Sequence, residues 1–235
     1  MPEGSICRIA VFYDGSFFAH AQRYFWHDKK AGWLSFQPLH SFIESFLSRQ
    51  EQGYSSYKVV YSSWHQGMFP AKTPTEEQLR FDRNLYHDLM HAGIEPKYLP
   101  VSQAQGEKGT DVALAIDALQ VGLDGKMDIA VLVTGDGDFI PLARALNTQG
   151  IRVMVAYFKF TDARGKKCFV NERLLAACNY ALDITALQSD RQFRSAFKSL
   201  FRTPDDWRRH GSAEDMDSAA ENVEVDKDGR KSDRQ

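Results

Sequence analysis

The chain of 235 residues is long enough to bury a full core, and its apolar fraction of 43% and charged fraction of 26% are ordinary for a globular protein. A formal net charge of −2 excludes a polycation of the histone type. Three cysteines without CxxC spacing argue against a disulfide framework and a zinc knuckle. The N-terminus lacks a secretory pattern and no apolar run approaches the roughly 20 residues that cross a bilayer, so we expect a cytoplasmic protein without membrane contact.

Short apolar runs rich in β-branched and aromatic residues alternate with longer amphipathic stretches. The runs predict buried strands and the stretches predict helices. This alternation, with short connections, predicts an α/β domain over residues 1–187, with helices on both faces of a mainly parallel sheet. The predicted strands cover residues 6–13, 57–62, 96–100, 127–134 and 151–158, and the predicted helices cover residues 40–49, 75–92, 111–121 and 140–149, with a further helix and strand within 171–187.

Two further segments are predicted after residue 187. Phe193, Phe197 and Phe201 recur at helical spacing, so we expect an amphipathic helix over residues 188–210. Its aromatic stripe is expected to dock onto the domain or onto a second copy of the chain, which would form a homodimer. Residues 211–235 are polar and rich in acidic side chains, with almost nothing to bury, and are expected to be disordered.

Four aspartates occupy places where an α/β fold collects ligands. Asp14 follows the first strand, Asp111 opens a helix, and Asp136 and Asp138 lie in a glycine-rich turn after the 127–134 strand. Ligands bind outside the carboxyl ends of parallel strands, so we expect the four carboxylates to converge. Two unit charges about 4 Å apart repel by about 4 kcal/mol at an effective dielectric near 20. Such a cluster either takes up protons or binds a cation.

The ligand chemistry favours Mg²⁺ or Mn²⁺ over zinc, because the expected donors are hard carboxylate oxygens without His or Cys nearby. Such a cation can activate water and neutralise charge on a phosphodiester under attack. Gly135 and Gly137 would let the backbone approach a phosphate closely. The structural alternative stays open, because an aspartate after a strand is often a helix cap and a Gly-Asp-Gly-Asp sequence can be only a turn.

Basic side chains with aromatic neighbours favour single-stranded RNA as the partner. The basic segment after the 151–158 strand is flanked by Phe160 and Phe169. Positive charge suits the RNA backbone and aromatic rings suit stacked bases, although an ordinary exposed hairpin is the alternative. His65, near the expected site edge, is interpreted as a satisfied polar residue. The candidate RNA-contacting residues are Lys108, Arg164, Lys166 and Lys167.

Three motifs occur in order along the chain. They are VFYDGS at residues 11–16, KGTDVALAIDAL at 108–119 and VTGDGDF at 133–139. Together with residues 150–153 and 171–183 they resemble the NYN domain of the PIN-like nuclease superfamily, and most closely its bacterial LabA-like proteins. The resemblance covers about residues 7–187. It implies a Rossmann-like, PIN-like three-layer sandwich and Mg²⁺- or Mn²⁺-dependent cleavage of RNA phosphodiesters by metal-activated water.

The resemblance assigns roles to the acidic residues. Asp14 matches the ligand of the first strand, Asp111 the helix ligand, and Asp136 the ligand after the fourth strand, with Asp138 supporting it. Asp117 also matches, but it lies about 240° around the helix from Asp111 and is interpreted as a structural acid. The secondary candidates are Ser16, Asp117 and Thr134.

The chain departs from the family pattern at three places. One is Cys178-Asn179, where the family commonly has Cys-Asp. Phe17 stands where the family usually has Asn, and the middle acid of PIN nucleases has no clear counterpart among Glu77, Asp82 and Asp88. Phe17 favours the alternative function, a non-catalytic or weakly active RNA-binding module on a PIN-like scaffold. The retained aspartates oppose it, because phosphate binding alone gains nothing from clustered negative charge.

Two other enzyme classes are disfavoured. Gly135-Asp136-Gly137-Asp138 is similar to the late acidic motif of haloacid-dehalogenase-type phosphatases, but the Asp-x-Asp nucleophile motif of that family is absent at Asp14. A dinucleotide-binding enzyme is disfavoured further, because no GxGxxG follows the first strand.

Overall fold

A parallel sheet of six strands forms the centre of the computed structural model, which describes residues 4–68, 76–100 and 109–203. All of its strand pairs are parallel, and their spatial order is β3-β2-β1-β4-β5-β6. The order reverses between β1 and β4, where ligands bind in such folds. The strands are β1 (Ile6–Asp14), β2 (Ser56–Met68), β3 (Glu95–Pro100), β4 (Ile129–Val133), β5 (Arg152–Tyr157) and β6 (Tyr180–Asp183).

Helices cover both faces of the sheet and make a three-layer sandwich. On β1, Ile9 and Val11 pack into one core, while Ala10 and Phe12 pack into the other. The first core includes α1 and α2, and the second includes α4 and α5. The predicted α/β fold with a parallel sheet is therefore confirmed. The helices are α1 (Gly15–Arg23), α2 (Phe36–Gln50), α3 (Glu76–His91), α4 (Thr110–Leu123), α5 (Ile140–Thr148), α6 (Glu172–Ala177) and α7 (Arg194–Ser199).

The strands and helices predicted within residues 1–187 are present, with two main differences. Strand β2 continues past the predicted residue 62 because its polar second half, including the buried Ser63 and His65, pairs with β3. Helix α1 was not predicted, since Gly15 and the following aromatic residues have weak helix propensity. Asp14 nevertheless caps it, and the buried Phe18 anchors it. Within the described residues, no helix is both long and apolar enough to cross a bilayer.

The C-terminal aromatic residues pack onto the domain itself. Phe197 and Phe201 are buried against Phe25, at ring-centroid distances of 6.0 and 5.0 Å. In the described part of the segment predicted as one helix, the short α7 is followed by the strand Phe201–Arg202, which pairs antiparallel with Trp33–Leu34. Residues 204–235, which include the predicted acidic tail, lie outside the described residues.

Candidate active site

Three exposed carboxylates meet at the carboxyl edge of the sheet. Asp111, Asp136 and Asp138 each offer an oxygen atom, and these three atoms lie within 4.8 Å of one another. Asp111 lies in the first turn of α4, and the other two follow β4. Two chain segments distant in sequence therefore bring three negative charges together where the strand order reverses. We name these three residues the carboxylate group.

Hydrogen bonds hold the turn that carries two of these carboxylates. Thr134, which is fully buried, accepts the backbone N–H of Asp136 through its hydroxyl oxygen at 3.2 Å. The Asp136 Oδ1 in turn accepts the N–H of Asp138 at 2.9 Å and caps the 3-10 turn Gly137–Phe139. The carboxylates are thus positioned by the backbone of a short turn rather than by burial.

Asp14 caps α1 and is bonded to the same turn. Its Oδ1 accepts the Phe17 N–H at 3.1 Å and the Ser16 hydroxyl at 2.9 Å, and its Oδ2 accepts the Thr134 hydroxyl at 3.0 Å. Thr134 therefore connects Asp14 to the backbone of Asp136. Asp14 is not one of the three residues of the carboxylate group. The structure places it beside that group with a helix-capping role.

The two glycines of the turn lie against the segment that precedes α6. A Cβ atom on Gly135 would overlap the carbonyl oxygen of Phe169, and one on Gly137 would overlap the side chain of Asn171. The Asn171 N–H also donates to the Gly135 carbonyl at 2.9 Å. Close approach of the Phe169 backbone therefore requires glycine at residue 135, whereas at residue 137 the close contact is with a side chain.

Gly135→Ala is expected to lower the free energy of unfolding by about 1–3 kcal/mol, because the added methyl group meets backbone that cannot rotate away. Urea denaturation measures this change. Gly137→Ala is the matched control, since its overlap is with the side chain of Asn171 and can be relieved by Asn171→Ala. Unchanged stability of Gly135→Ala would contradict the close contact with Phe169.

The side chain of Phe17, the residue that stands where the resembled family usually has Asn, makes apolar contacts instead of hydrogen bonds. The half-buried Phe17 packs against Phe158 at a ring-centroid distance of 5.8 Å. Its ring also lies next to Gly135, since a Cβ there would come within 2.9 Å of the Phe17 Cε2 atom. An aromatic ring thus fills the space between α1 and the Gly135 turn.

Asp117 belongs to a separate polar network under α4. Its carboxylate accepts hydrogen bonds from Lys97 Nζ at 2.6 Å, Ser63 Oγ at 2.8 Å and Tyr61 Oη at 3.1 Å, and lies 3.1 Å from Nε2 of the fully buried His65. Burial opposes ionisation, but the hydrogen bonds outweigh it and hold the pKa of the Asp117 carboxyl well below its usual range. No pattern in the sequence indicated that Ser63 and Lys97 contact Asp117, because only the pairing of β2 with β3 in the sheet brings them together.

Asp82 and Asp88, the two candidates for a middle acid whose side chains the structure describes, are not part of the carboxylate group. Asp88 is buried and accepts hydrogen bonds from Trp33 Nε1 at 2.7 Å and Arg202 at 2.6 Å, which makes it a structural residue. Asp82 also lies outside the group. The side chain of Glu77 is outside the described part of α3.

The predicted basic segment forms a hairpin whose strands, Phe160–Thr161 and Lys167–Cys168, pair antiparallel. Phe160 is buried and stacks on Tyr24 at a centroid distance of 3.8 Å, so it cannot meet RNA. Phe169 is 63% exposed. Lys108 lies outside the described residues. The exposed cations of this basic hairpin are Arg164, Lys166 and Lys167.

Comparison with known proteins agrees with the observed fold. The family model for the NYN domain matches residues 8–185, well over half of the chain. The crystal structure of a protein of unknown function from Vibrio parahaemolyticus is similar, with a TM-score of 0.54 and 19% identity over 78% of this chain and 96% of that chain. At this identity the likeness shows the fold alone. No curated protein matches the chain significantly.

Proposed function

The chain belongs to the NYN domain family, a family of PIN-like nucleases, and we propose that it is a divalent-metal-dependent ribonuclease. The observation that carries this proposal is the carboxylate group at the carboxyl edge of the sheet. Three exposed negative charges would repel a phosphodiester unless a cation joins them. The three motifs together, at residues 11–16, 108–119 and 133–139, support a place in the LabA-like subgroup.

The donor set fits Mg²⁺ or Mn²⁺. The carboxylate group presents only oxygen ligands, without the nitrogen or sulfur donors that favour zinc. Asp111, Asp136 and Asp138 would hold the cation, and we assign Asp14 as a fourth carboxylate from β1. When bound, a cation of this kind activates water for attack on a phosphodiester and neutralises the charge that develops there.

The other residues of the site orient these acids and admit the substrate. Ser16 and Thr134 donate hydrogen bonds to Asp14, which fixes the position of its carboxylate. Gly135 and Gly137 let the turn that carries Asp136 and Asp138 pack closely against Phe169 and Asn171. The exposed cations of the basic hairpin would attract the backbone of single-stranded RNA. The free thiols of the chain fit the reducing conditions of a cytoplasmic location.

A second function is favoured by one observation. Phe17 replaces a polar amide with a ring packed on Phe158, so the site lacks a donor and acceptor that the family usually has. A non-catalytic or weakly active RNA-binding module on the same scaffold is therefore the alternative. The two functions differ in whether added metal leads to RNA cleavage.

Incubation of the purified full-length chain with end-labelled single-stranded RNA tests the proposal. We expect cleavage with Mn²⁺ or Mg²⁺, loss of cleavage with excess EDTA, and recovery after excess metal is added back. Product lengths on a denaturing gel distinguish endonuclease from exonuclease action. Cleavage that persists in EDTA would contradict metal dependence, and RNA binding without cleavage under all conditions would favour the non-catalytic module.

A further inference from the structure

An exposed aromatic ring lies beside the candidate metal-binding turn. Phe169 is 63% exposed, whereas the nearby Phe158 and Phe160 are buried in the core. Exposure of one phenylalanine ring is by itself common on protein surfaces. What distinguishes Phe169 is the rigidity of its backbone, its place next to the carboxylate group and the charge of the hairpin that precedes it.

The backbone of Phe169 is anchored on both sides. On one side, Cys168 pairs with Phe160 in the basic hairpin. On the other, the Asn171 N–H donates to the Gly135 carbonyl at 2.9 Å, and the Asn171 Oδ1 accepts the N–H of Arg173 at 2.9 Å as the cap of α6. The backbone that carries the ring is therefore fixed, so Phe169 would lose little conformational entropy when a ligand binds.

Phe169 and the carboxylate group share one turn. The carbonyl oxygen of Phe169 lies against Gly135, which directly precedes Asp136. The side chain of Asn171, two residues further along, lies against Gly137, between Asp136 and Asp138. A nucleotide with its phosphate at the carboxylates would therefore lie close to the backbone of Phe169, whose side chain is exposed.

The hairpin adds positive charge next to the same turn. Lys166 and Lys167 are exposed, and Cys168 lies between them and Phe169. Cations beside a ring are the combination that proteins use to bind single strands, with charge on the backbone and stacking on the bases.

We propose that Phe169 is a specificity-determining residue that stacks on an unpaired base and so selects single-stranded over duplex RNA. This proposal rests on the ribonuclease function proposed above, and it attributes the preference for single-stranded RNA to one residue. Bases inside a duplex are already stacked on their neighbours, whereas those of a single strand can splay onto an aromatic ring. The cations of the basic hairpin would contact both forms, because their contacts are to phosphates.

The test uses binding rather than cleavage. Fluorescence anisotropy with Ca²⁺, which takes oxygen ligands and replaces the Mg²⁺ or Mn²⁺ of the proposed reaction, compares the affinity of a labelled 12-nucleotide oligouridine with that of a labelled 12-base-pair RNA duplex without unpaired bases. We expect Phe169→Ala to weaken binding of oligouridine about tenfold and to leave duplex affinity unchanged, in line with the loss of one stacked base. Phe169→Trp should retain the affinity for oligouridine, and Phe169→Leu, which keeps apolar area without a ring, should not.

Two controls separate stacking from other causes. Tyr86→Ala removes an exposed aromatic ring on α3 and is expected to leave oligouridine binding unchanged. An abasic probe of the same length should bind Phe169→Ala as well as it binds the original chain. The proposal is overturned if Phe169→Ala binds oligouridine normally, if it loses both RNA forms equally, or if Phe169→Leu binds as well as Phe169→Trp.

Failure of the ribonuclease proposal would be seen in a different measurement. A chain that cleaves no RNA with Mn²⁺ or Mg²⁺, but loses oligouridine binding on Phe169→Ala, would be a single-strand-binding module with the same stacking residue. A chain that cleaves RNA in a metal-dependent way, but binds oligouridine equally well with and without the Phe169 ring, would be a ribonuclease that selects its substrate by other residues.

Discussion

Asp136→Asn is expected to lower metal-dependent RNA cleavage by at least about a hundredfold, since replacement of groups that merely support metal ligands already costs about 10–100-fold. The substitution keeps the shape of the side chain and its Oδ1 acceptor for the Asp138 N–H. It removes one of three clustered negative charges. The affinity of the chain for Mn²⁺, measured by titration calorimetry, should fall with the activity.

The same substitution should not weaken the fold. Removal of one charge from a group of three relieves repulsion, so the urea midpoint of Asp136→Asn should equal or exceed that of the original chain. Asp124→Asn is the matched control, because it makes the same chemical change at an exposed ion pair with Lys126. Equal cleavage by Asp136→Asn and Asp124→Asn, purified in parallel, would contradict the proposed metal site.

Asp117→Asn is expected to lower the free energy of unfolding by about 2–3 kcal/mol, somewhat less than the full cost of breaking a buried ion pair. The side chain of Asp117 is 11% exposed and that of its partner Lys97 is 29% exposed, so water screens the pair only in part. The substitution leaves the ammonium of Lys97 and the buried Ser63 hydroxyl without their carboxylate acceptor. Urea denaturation near neutral pH measures the loss.

The pH dependence of that difference follows from the two pKa shifts. The pKa of Asp117 is held below its usual range, so its contribution to stability is present above about pH 4 and is lost as the pH falls below that value. Burial would lower the pKa of Lys97, but its bonds to Asp117 and Tyr61 raise it, so its contribution is lost only as the pH rises above about 10.4.

The stability curves of the original chain and Asp117→Asn should therefore lie farthest apart between about pH 5 and 9 and converge at acid pH. Asp124→Asn again serves as the control, because its exposed carboxylate should show no comparable effect. A difference that stays constant down to pH 2 would contradict the ion pair as its cause.

Local sequence was sufficient for most of the fold. A strand buried on both faces needs a continuous apolar run, and such runs mark β1, β4 and β5 within one or two residues of their observed bounds. The second half of β2 was missed because Ser63 and His65 are polar. They are buried there because the carboxylate of Asp117, from α4, contacts both side chains, while Lys97 of β3 forms an ion pair with that carboxylate.

Sequence alone also indicated that aspartates gather at the carboxyl edge of the sheet, since strand ends and helix starts are local features. It could not decide which of them meet. The tertiary structure joins Asp111 to Asp136 and Asp138, and leaves Asp14 as a cap bonded to Thr134. Distances of a few ångströms between side chains depend on how α4 packs on the sheet, which no local pattern contains.

The two phenylalanines that flank the basic hairpin also show what local sequence indicates and what only tertiary packing decides. In the sequence, both residues are equally good candidates for stacking on RNA bases. In the structure, Phe160 is covered by Tyr24, whereas Phe169 is exposed beside Gly135. Periodicity and turn residues are properties of the chain itself, and they determined the α/β order of this protein. Exposure and the meeting of charges are properties of packing between distant segments, and only the tertiary structure decided them.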